Sequence, residues 1–428
     1  MSPVPTSAMP PQDAAWLGMG HPTNLMIVTA VLLLDGSPDE QVLRSLVQQR
    51  IADRYPSFRR RAVRTRRPWP RAVWRDDPGF DVASHVRTTT LTGPLDVHLD
   101  PFIADLMSRP LDLGQPPWLM HLVCDPDGAS ALVVRVHHCV GDGIALAQVL
   151  LSLTDPQTPV SDAARPTSAV KQHNRTAATV LLTAIRVVGA LVRVPLMPHE
   201  PRTHLRGRLG TRKVVARGSG VDLALVKAQA HGASVNEAVL AAVAGGLRRQ
   251  LVASGERPTD LRVLVPVNLR PPRAAVPVLL GNHFGMVLVH LPVTEPDADQ
   301  RLAQVRLRSS RAKASAEALA TFVGLTVLGT LPVGIQALAA RLLGARATAV
   351  VTNVPGPRHP VLLAGHRVRQ IAFWVPQTGA VGVGISVFSY AGVISVGIAV
   401  DARLRSDPST LARAIEDELG GSGLARGQ

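Results

Sequence analysis

The stretch from Leu25 to Leu34 constrains this chain most: it carries no charge, is rich in Leu and β-branched residues, and is closed by Asp35-Gly36. Such a run is a buried strand ended by a turn. A helical spacing follows at once, because Pro38 opens a stretch to Tyr55 with apolar residues at 42, 43, 46, 47 and 51. Leu119 to Cys124 and Ala131 to His137 read as two strands joined by the turn Asp125-Pro126-Asp127-Gly128, with a helix from Gly143 to Leu153. The second half repeats the mixture, with helices at Ser234 to Leu251 and Pro408 to Leu419 and strands at Arg262 to Val267 and Met286 to Leu291. Its last third alternates Gly with β-branched residues (Val381 to Ser389, Val393 to Val400), as in strands that let another backbone come close. Strands and helices mixed in both halves predict an α/β (α+β) architecture. With 428 residues, 46% of them apolar, the chain can bury two cores and is not disordered. Aromatics reach only 3%, so Leu, Val, Ala and Ile must fill the interior.

Composition changes between the halves. Asp155 to Pro166 is rich in Pro, Ser and Thr, a connector. Thr176 to Met197 is mostly apolar, with Arg186 and Arg193 on one helix face, and Pro198 to Arg212 is polar again. The expected division is an N-terminal subdomain over 1–155, a crossover with an apolar helix over 156–210, and a C-terminal subdomain over 211–428. Ala318 to Ala340 holds no charged residue over a length that could cross a bilayer. Gly324, Gly329, Pro332 and Gly334 split it, predicting two shorter helices, buried or facing lipid.

Basic minus acidic residues gives 46 − 31 = +15, nearly all Arg, a field that favours anionic partners. The densest run holds Arg59, Arg60, Arg61, Arg64, Arg66, Arg67, Arg71 and Arg75, interleaved with Trp69 and Trp74. No recognised nucleic-acid module accompanies it, so no nucleic-acid partner is expected. Cys124 and Cys139 form no CxxC pair, and the Pro- and Ser-containing start to Asp13 lacks the pattern of a signal peptide. A reducing compartment, the cytoplasm, is the expectation.

The chemistry concentrates in His137-His138-Cys139-Val140-Gly141-Asp142-Gly143, an HHxxxDG pattern at the end of a predicted strand. Neighbouring strand residues point to opposite faces, so only one of His137 and His138 can serve a given site. A near-neutral imidazole suits the removal of a proton from a hydroxyl or amine. Asp142 falls where a carboxylate caps a helix, and Gly141 and Gly143 are expected to let the backbone turn sharply around it. No GxSxG elbow is present, and Cys139 points away from His138, so direct attack by the acceptor is expected rather than an acyl-enzyme. Two adjacent His with an Asp four further on do not match zinc spacings, and no metal is expected. The competing reading is that the two His and Asp142 only satisfy one another.

HHCVGDG resembles the active-site motif of acyl-CoA-dependent acyltransferases related to chloramphenicol acetyltransferase and to condensation domains. Within that group the chain is similar to the bacterial wax ester synthase/diacylglycerol acyltransferase family. The resemblance runs through Pro11-Gln12-Asp13-Ala14-Ala15-Trp16-Leu17, Pro56 to Arg61, Asp81 to Val86, Arg109-Pro110-Leu111-Asp112 and Pro116-Pro117-Trp118. It continues through Val235-Asn236-Glu237-Ala238, Val265-Pro266-Val267-Asn268-Leu269-Arg270, Leu280-Gly281-Asn282, Asn353 to Pro357, and Ser389-Tyr390 with Gly392. Pro117 stands where the family has Leu, and Glu237 where it has Asp. The resemblance implies two chloramphenicol-acetyltransferase-like subdomains joined by the crossover, with the active site in a tunnel between them. It implies His138 as general base, His137 as support and Asp142 as a structural residue before Gly143, with Arg270 the candidate charge partner. Asn236, Glu237, Trp118 and Asn268 are implied to support the site.

The implied reaction moves an acyl group from acyl-CoA to a lipid alcohol, giving triacylglycerol or wax ester, with no bound cofactor. A peripheral position at the inner membrane face or on lipid droplets would bring the acceptor. The Arg-dense run would hold coenzyme A phosphates or an anionic membrane, or simply solvate an edge strand. Two other readings remain open from sequence: transacylation from a carrier-protein thioester, and a non-catalytic lipid-binding protein.

Overall fold

The computed structural model describes residues 6–65, 71–157, 189, 193, 197–270, 279–377 and 379–421. Most of the predicted crossover helix over 176–197, most of the connector before it, and Arg66, Arg67 and Trp69 lie outside the described residues.

Two seven-stranded sheets form the body. The first runs, edge to edge, through Val86–Thr90, Trp118–Cys124, Ser130–His137, Ile27–Leu34, His366–Trp374, Val361–Leu363 and Thr154–Pro156. Ile27–Leu34 is indeed central, paired antiparallel with Ser130–His137 from Ile27 opposite His137 to Leu34 opposite Ser130. The second runs through Val221–Asp222, Val393–Asp401, Val383–Tyr390, Ala349–Pro355, Leu261–Asn268 and Phe284–Leu291, with Lys213–Arg217 also paired to Val393–Asp401. A three-stranded sheet of Thr6–Ala8, Ala72–Asp76 and Arg60–Arg64 stands apart. The architecture is mixed α/β with helices on the sheets, as expected.

The sheets do not divide where the composition does. His366–Trp374 and Val361–Leu363, from deep in the second half, complete the first sheet, and His366–Trp374 pairs directly with Ile27–Leu34. The reason lies in the Gly-rich strands. A Cβ on Gly397 would sit 2.4 Å from Phe373 O, and Trp374 Nε1 donates to Ile398 O at 3.1 Å. Bare backbone at this position lets the donated strand lie close against the second sheet.

The uncharged stretch forms two helices, Glu317–Leu328 and Val333–Gly344, broken at Gly329 and Pro332, whereas Gly324 and Gly334 sit inside the helices. Among the described residues no helix is long and apolar enough to cross a membrane. The first of the pair lies on Phe284–Leu291, where Met286 N–H donates to Thr321 Oγ1 at 2.7 Å. The turn between the pair presses on the first residues of helix Pro11–Met19: a Cβ on Gly329 would overlap Pro11 O. That helix is thereby held over the seam between the sheets.

Gly397→Ala is expected to destabilise the protein by about 1–3 kcal/mol through overpacking against Phe373. Gly143→Ala, whose Cβ would meet nothing within 4 Å, is expected to be neutral or mildly stabilising. Urea unfolding midpoints of the two variants check the contrast, and equal midpoints would refute the close-approach argument.

Candidate active site

His137 ends its strand and is followed by a short turn into helix Gly143–Leu151. The turn is cross-tied. His137 N–H donates to Pro117 O at 2.9 Å, and His138 N–H donates to Met26 O at 2.8 Å. Met26 reaches that position with φ of 54°, a left-handed conformation that is strained for a side chain of its size. Neither Gly141 nor Gly143 has positive φ, so the expected sharp turn is made without it. What Gly143 supplies is space.

The two imidazoles do part. His137 is fully buried, and its Nδ1 accepts from Cys139 N–H at 3.2 Å, which leaves the ring proton on Nε2. Burial pushes its pKa down to about 3. His138 stacks on Trp16, with ring centroids 4.3 Å apart and planes 16° apart, and touches Phe284. It lines a cavity of about 90 Å³ at the junction of the sheets. The first sheet's side of that cavity carries Val28, Asp142 and Gly143; the second supplies Asn268, Phe284, Met286, Thr352 and Asn353. Burial holds the His138 imidazole below its ordinary value, with the Asp142 carboxylate opposing. It is therefore neutral at neutral pH, the form that can take a proton. Among the described residues its buried Nδ1 has no partner at hydrogen-bond geometry, although its own backbone and the Asn282 side chain lie close enough to favour the charged form. Cys139 is buried, and burial pushes its thiol well up, away from the thiolate a nucleophile needs.

Asp142 is fully engaged. Oδ1 accepts from Ala145 N–H at 2.9 Å, capping the helix, and from Arg270 Nη1 at 2.9 Å. Oδ2 lies 2.8 Å from the same Arg270 nitrogen and accepts from His283 N–H at 3.0 Å. Arg270 also donates to Gly281 O, and its own N–H donates to Asn268 Oδ1 at 3.0 Å. These bonds tie the Asp142 carboxylate to the helix start and to the second sheet's strand pair.

The remaining candidates sit further out. Trp118 is buried, donates through Nε1 to Phe58 O at 2.8 Å and stacks on His85. It begins the strand paired with the histidine strand, opposite Val136, and the buried Pro117 before it accepts the His137 N–H through its carbonyl. Asn236 and Glu237 line no part of the His138 cavity. Glu237 Oε2 accepts from Ser234 N–H at 2.9 Å, closing a capping box on helix Val235–Ala253, a task its length suits.

Sequence reasoning assigns no role to Asp13, Trp16, Met26 or Asn282, which the fold brings against His138. Asp13 Oδ1 accepts from both Asn282 N–H and Asn282 Nδ2 at 2.8 Å, and the same Nδ2 donates to His138 O at 2.8 Å. Burial pushes Asp13 up to about 7, against the pull of these bonds. The available signal is the carboxylate itself, alone in the otherwise apolar Ala14-Ala15-Trp16-Leu17 helix.

Comparison with known proteins decides the family. The wax ester synthase/diacylglycerol acyltransferase catalytic-domain model matches residues 9–239, and the WS/DGAT C-terminal domain model matches 280–421. The chain belongs to the wax ester synthase/diacylglycerol acyltransferase family. It is an acyltransferase of that family. A probable diacylglycerol O-acyltransferase of Mycobacterium tuberculosis is 29% identical over 424 residues, covering 92% of this chain and 90% of the relative. The wax ester synthase/diacylglycerol acyltransferase of Marinobacter aquaeolei shares the fold with a TM-score of 0.71 at 22% identity, over 99% of this chain and 100% of that one. The starter condensation domain of rhizomide synthetase, solved with C8-CoA and Leu-SNAC, shares it at 0.61 and 13% identity, over 98% and 94% of the two chains.

Asp13→Asn keeps the Oδ1 acceptor for Asn282 and removes the titration. A group raised from 3.8 to about 7 favours the folded state fully below its unfolded value, and that contribution is lost as pH rises through 7. His137 works in the opposite direction below its unfolded value of 6.5, equally in both proteins. The difference in melting temperature is expected to move in the variant's favour between pH 5 and pH 8. A pH-independent difference would mean that Asp13 is already ionised in the folded protein.

Proposed function

We propose that this chain moves a long acyl group from acyl-CoA to the hydroxyl of diacylglycerol or a long-chain alcohol, with His138 as general base and no acyl-enzyme. The observation that carries the reading is the neutral His138 imidazole lining a cavity to which both sheets contribute. The acceptor hydroxyl gives its proton to the imidazole as its oxygen attacks the thioester carbonyl carbon. The carbon–sulfur bond then breaks, the imidazolium returns the proton to the departing thiolate, and an ester and free coenzyme A result. Asp142 and Arg270 hold the turn that positions His138, and His137 supports it from the opposite face. Asn268 orients the Arg270 backbone, Gly143 leaves room for the reacting groups, Trp118 acts through packing, and Asn236 and Glu237 act at a distance through helix Val235–Ala253, which Glu237 caps. The scheme calls for no resident cofactor or metal.

The acyl chain has an apolar destination. A second cavity, of about 50 Å³, shares Val28 and Gly143 with the first and is otherwise lined by side chains such as Val134, Leu146, Leu150, Ile371 and Phe373. Ligand pockets usually measure about 300–1,000 Å³, so both cavities must widen as the chain enters. The family favours acyl-CoA over a carrier-protein thioester as donor, although condensation domains share the fold.

Purified protein with labelled palmitoyl-CoA and either diacylglycerol or hexadecanol tests the reaction. His138→Ala is expected to lower turnover by about 10²–10⁴. The acid limb of kcat/KM is expected below pH ~6.5, because the folded imidazole holds its proton less tightly than a free one. Turnover only with an acyl carrier protein, or ligand retention with no turnover, would overturn the reading.

The lipid acceptor accounts for the hairpin of helices Glu317–Leu328 and Val333–Gly344, which we place against a membrane or droplet surface. Val327, Ile335 and Leu338 are each about half exposed there, at 56%, 47% and 54%. Val327→Asp with Leu338→Asp is expected to reduce co-sedimentation with phosphatidylglycerol-containing vesicles severalfold while leaving the melting temperature unchanged. Undiminished sedimentation would remove this face from the model of association.

A further inference from the structure

The Arg-dense segment uses much of its charge internally. Arg59 pairs with Asp53, Arg60 with Asp76 at 2.6 Å and Arg61 with Asp77 at 3.4 Å, and Arg64 is half-buried beneath helix Pro11–Met19. A different part of the molecule holds arginines with no such partners. A cavity of about 520 Å³ is lined by Arg208, Arg341 and Arg403, with His21 and the backbone of Asn24 and Gly210. No acidic side chain lines it among the described residues. Among those residues, too, none of the three arginines has a carboxylate within ion-pair distance. Cations left unpaired around a concave surface favour an anion there.

The walls of this cavity are fixed by one buried ion pair. Lys213 Nζ donates to Asp401 Oδ2 at 2.8 Å and to Thr23 O at 2.7 Å, while Asp401 also accepts from Gly210 N–H at 2.9 Å and Arg403 N–H at 3.0 Å. Three separate segments are thus tied together: the turn at 23–24, the loop at 210 and the start of the loop at 403. Asn24 Nδ2 adds the fourth wall by donating to Gly379 O at 3.1 Å. Arg403 lies across Gly210, where a Cβ would come 3.0 Å from its Nε. The arginine side chains themselves remain exposed, so the cavity opens to solvent.

The cavity adjoins the one holding His138. Helix Pro11–Met19 presents Trp16 to the histidine cavity and Met19 to the arginine cavity, a separation of about 4.5 Å along the axis. The segment after His366–Trp374 does the same, with Val375 and Pro376 in the first and Gly379 and Ala380 in the second. We infer that the arginine cavity binds the phosphorylated nucleotide end of acyl-CoA, the arm of that donor running beside helix Pro11–Met19 to bring its thioester to His138. The inference rests on the acyl-CoA reading of the preceding section. Size agrees, since about 520 Å³ falls within the usual range for ligand pockets and about 90 Å³ does not.

The triple variant Arg208→Gln, Arg341→Gln, Arg403→Gln in the full chain tests it with two donors and one ligand. Calorimetry with adenosine 3′,5′-bisphosphate reports binding without needing turnover, and its loss is expected to be tenfold or more, roughly the effect of removing several charge-assisted contacts. KM for palmitoyl-CoA is expected to rise by a similar factor and to lose its dependence on salt. Turnover of a palmitoyl thioester of N-acetylcysteamine, which has no phosphate, is expected to be unchanged. Unaltered bisphosphate binding, or an equal change in KM for both thioesters, would overturn the inference. So would loss of bisphosphate binding in Arg59→Gln, Arg71→Gln, Arg75→Gln instead, or loss of phosphatidylglycerol vesicle binding alone in the first triple variant. If neither thioester turns over in the native protein while the bisphosphate still depends on the three arginines, the site stands and the transferase reading fails. Should the triple variant not fold, Arg208→Gln and Arg341→Gln singly, both at exposed positions, are expected to weaken bisphosphate binding about threefold or more each.

Discussion

One carboxylate joins the two halves at the point where the chemistry is placed. Asp142 belongs to the first sheet's histidine turn, yet two of its bonds come from the second sheet's strand pair, through Arg270 after Leu261–Asn268 and His283 before Phe284–Leu291. Burying such a pair costs desolvation, which is recovered only when each oxygen keeps its hydrogen bonds, and here both do. Loss of either partner would leave a buried charge uncompensated, typically about 3–5 kcal/mol, far more than an exposed pair is worth. This ion pair is thus one of the ties that set the histidine turn against the second sheet.

The second constraint is steric. A strand made late in the chain sits in the first sheet, and the second sheet must approach it closely enough for Trp374 to reach Ile398 O. Gly397 permits that approach, and Gly384 faces Val375 O in the same region. Trp16 of helix Pro11–Met19 forms one wall of the His138 cavity.

Much of this was legible in the residues. Strand and helix periods located Ile27–Leu34, Ser130–His137 and Pro408–Leu419 to within a residue or two, because each buries one continuous apolar surface. The alternating glycines announced close backbone approach, and the structure supplies the partner. Composition could not reveal that His366–Trp374 crosses into the first sheet, since a strand's sequence records burial but not which sheet buries it. The separate fates of His137 and His138 followed from strand alternation. Asp13 and Asn282 each lie in a block that resembles the family, but their pairing was out of reach because it joins residues 269 apart.

The shell behind His138 explains why so many polar groups sit in an apolar place. Burial keeps the imidazole, stacked on Trp16, in its neutral form, and among the described residues its Nδ1 has no partner at hydrogen-bond geometry. The backbone carries the positioning instead: Met26 O holds the N–H of His138 and Asn282 Nδ2 holds its carbonyl. Asn282 can do this because Asp13 fixes it from the other side, and burial holds Asp13 up at about 7 against the pull of those same bonds. A lysine or arginine in place of Asn282 would neutralise Asp13, but it would also put a positive charge beside His138 and lower the imidazole's basicity further. A neutral amide relay secures the histidine backbone without placing a charge beside its ring.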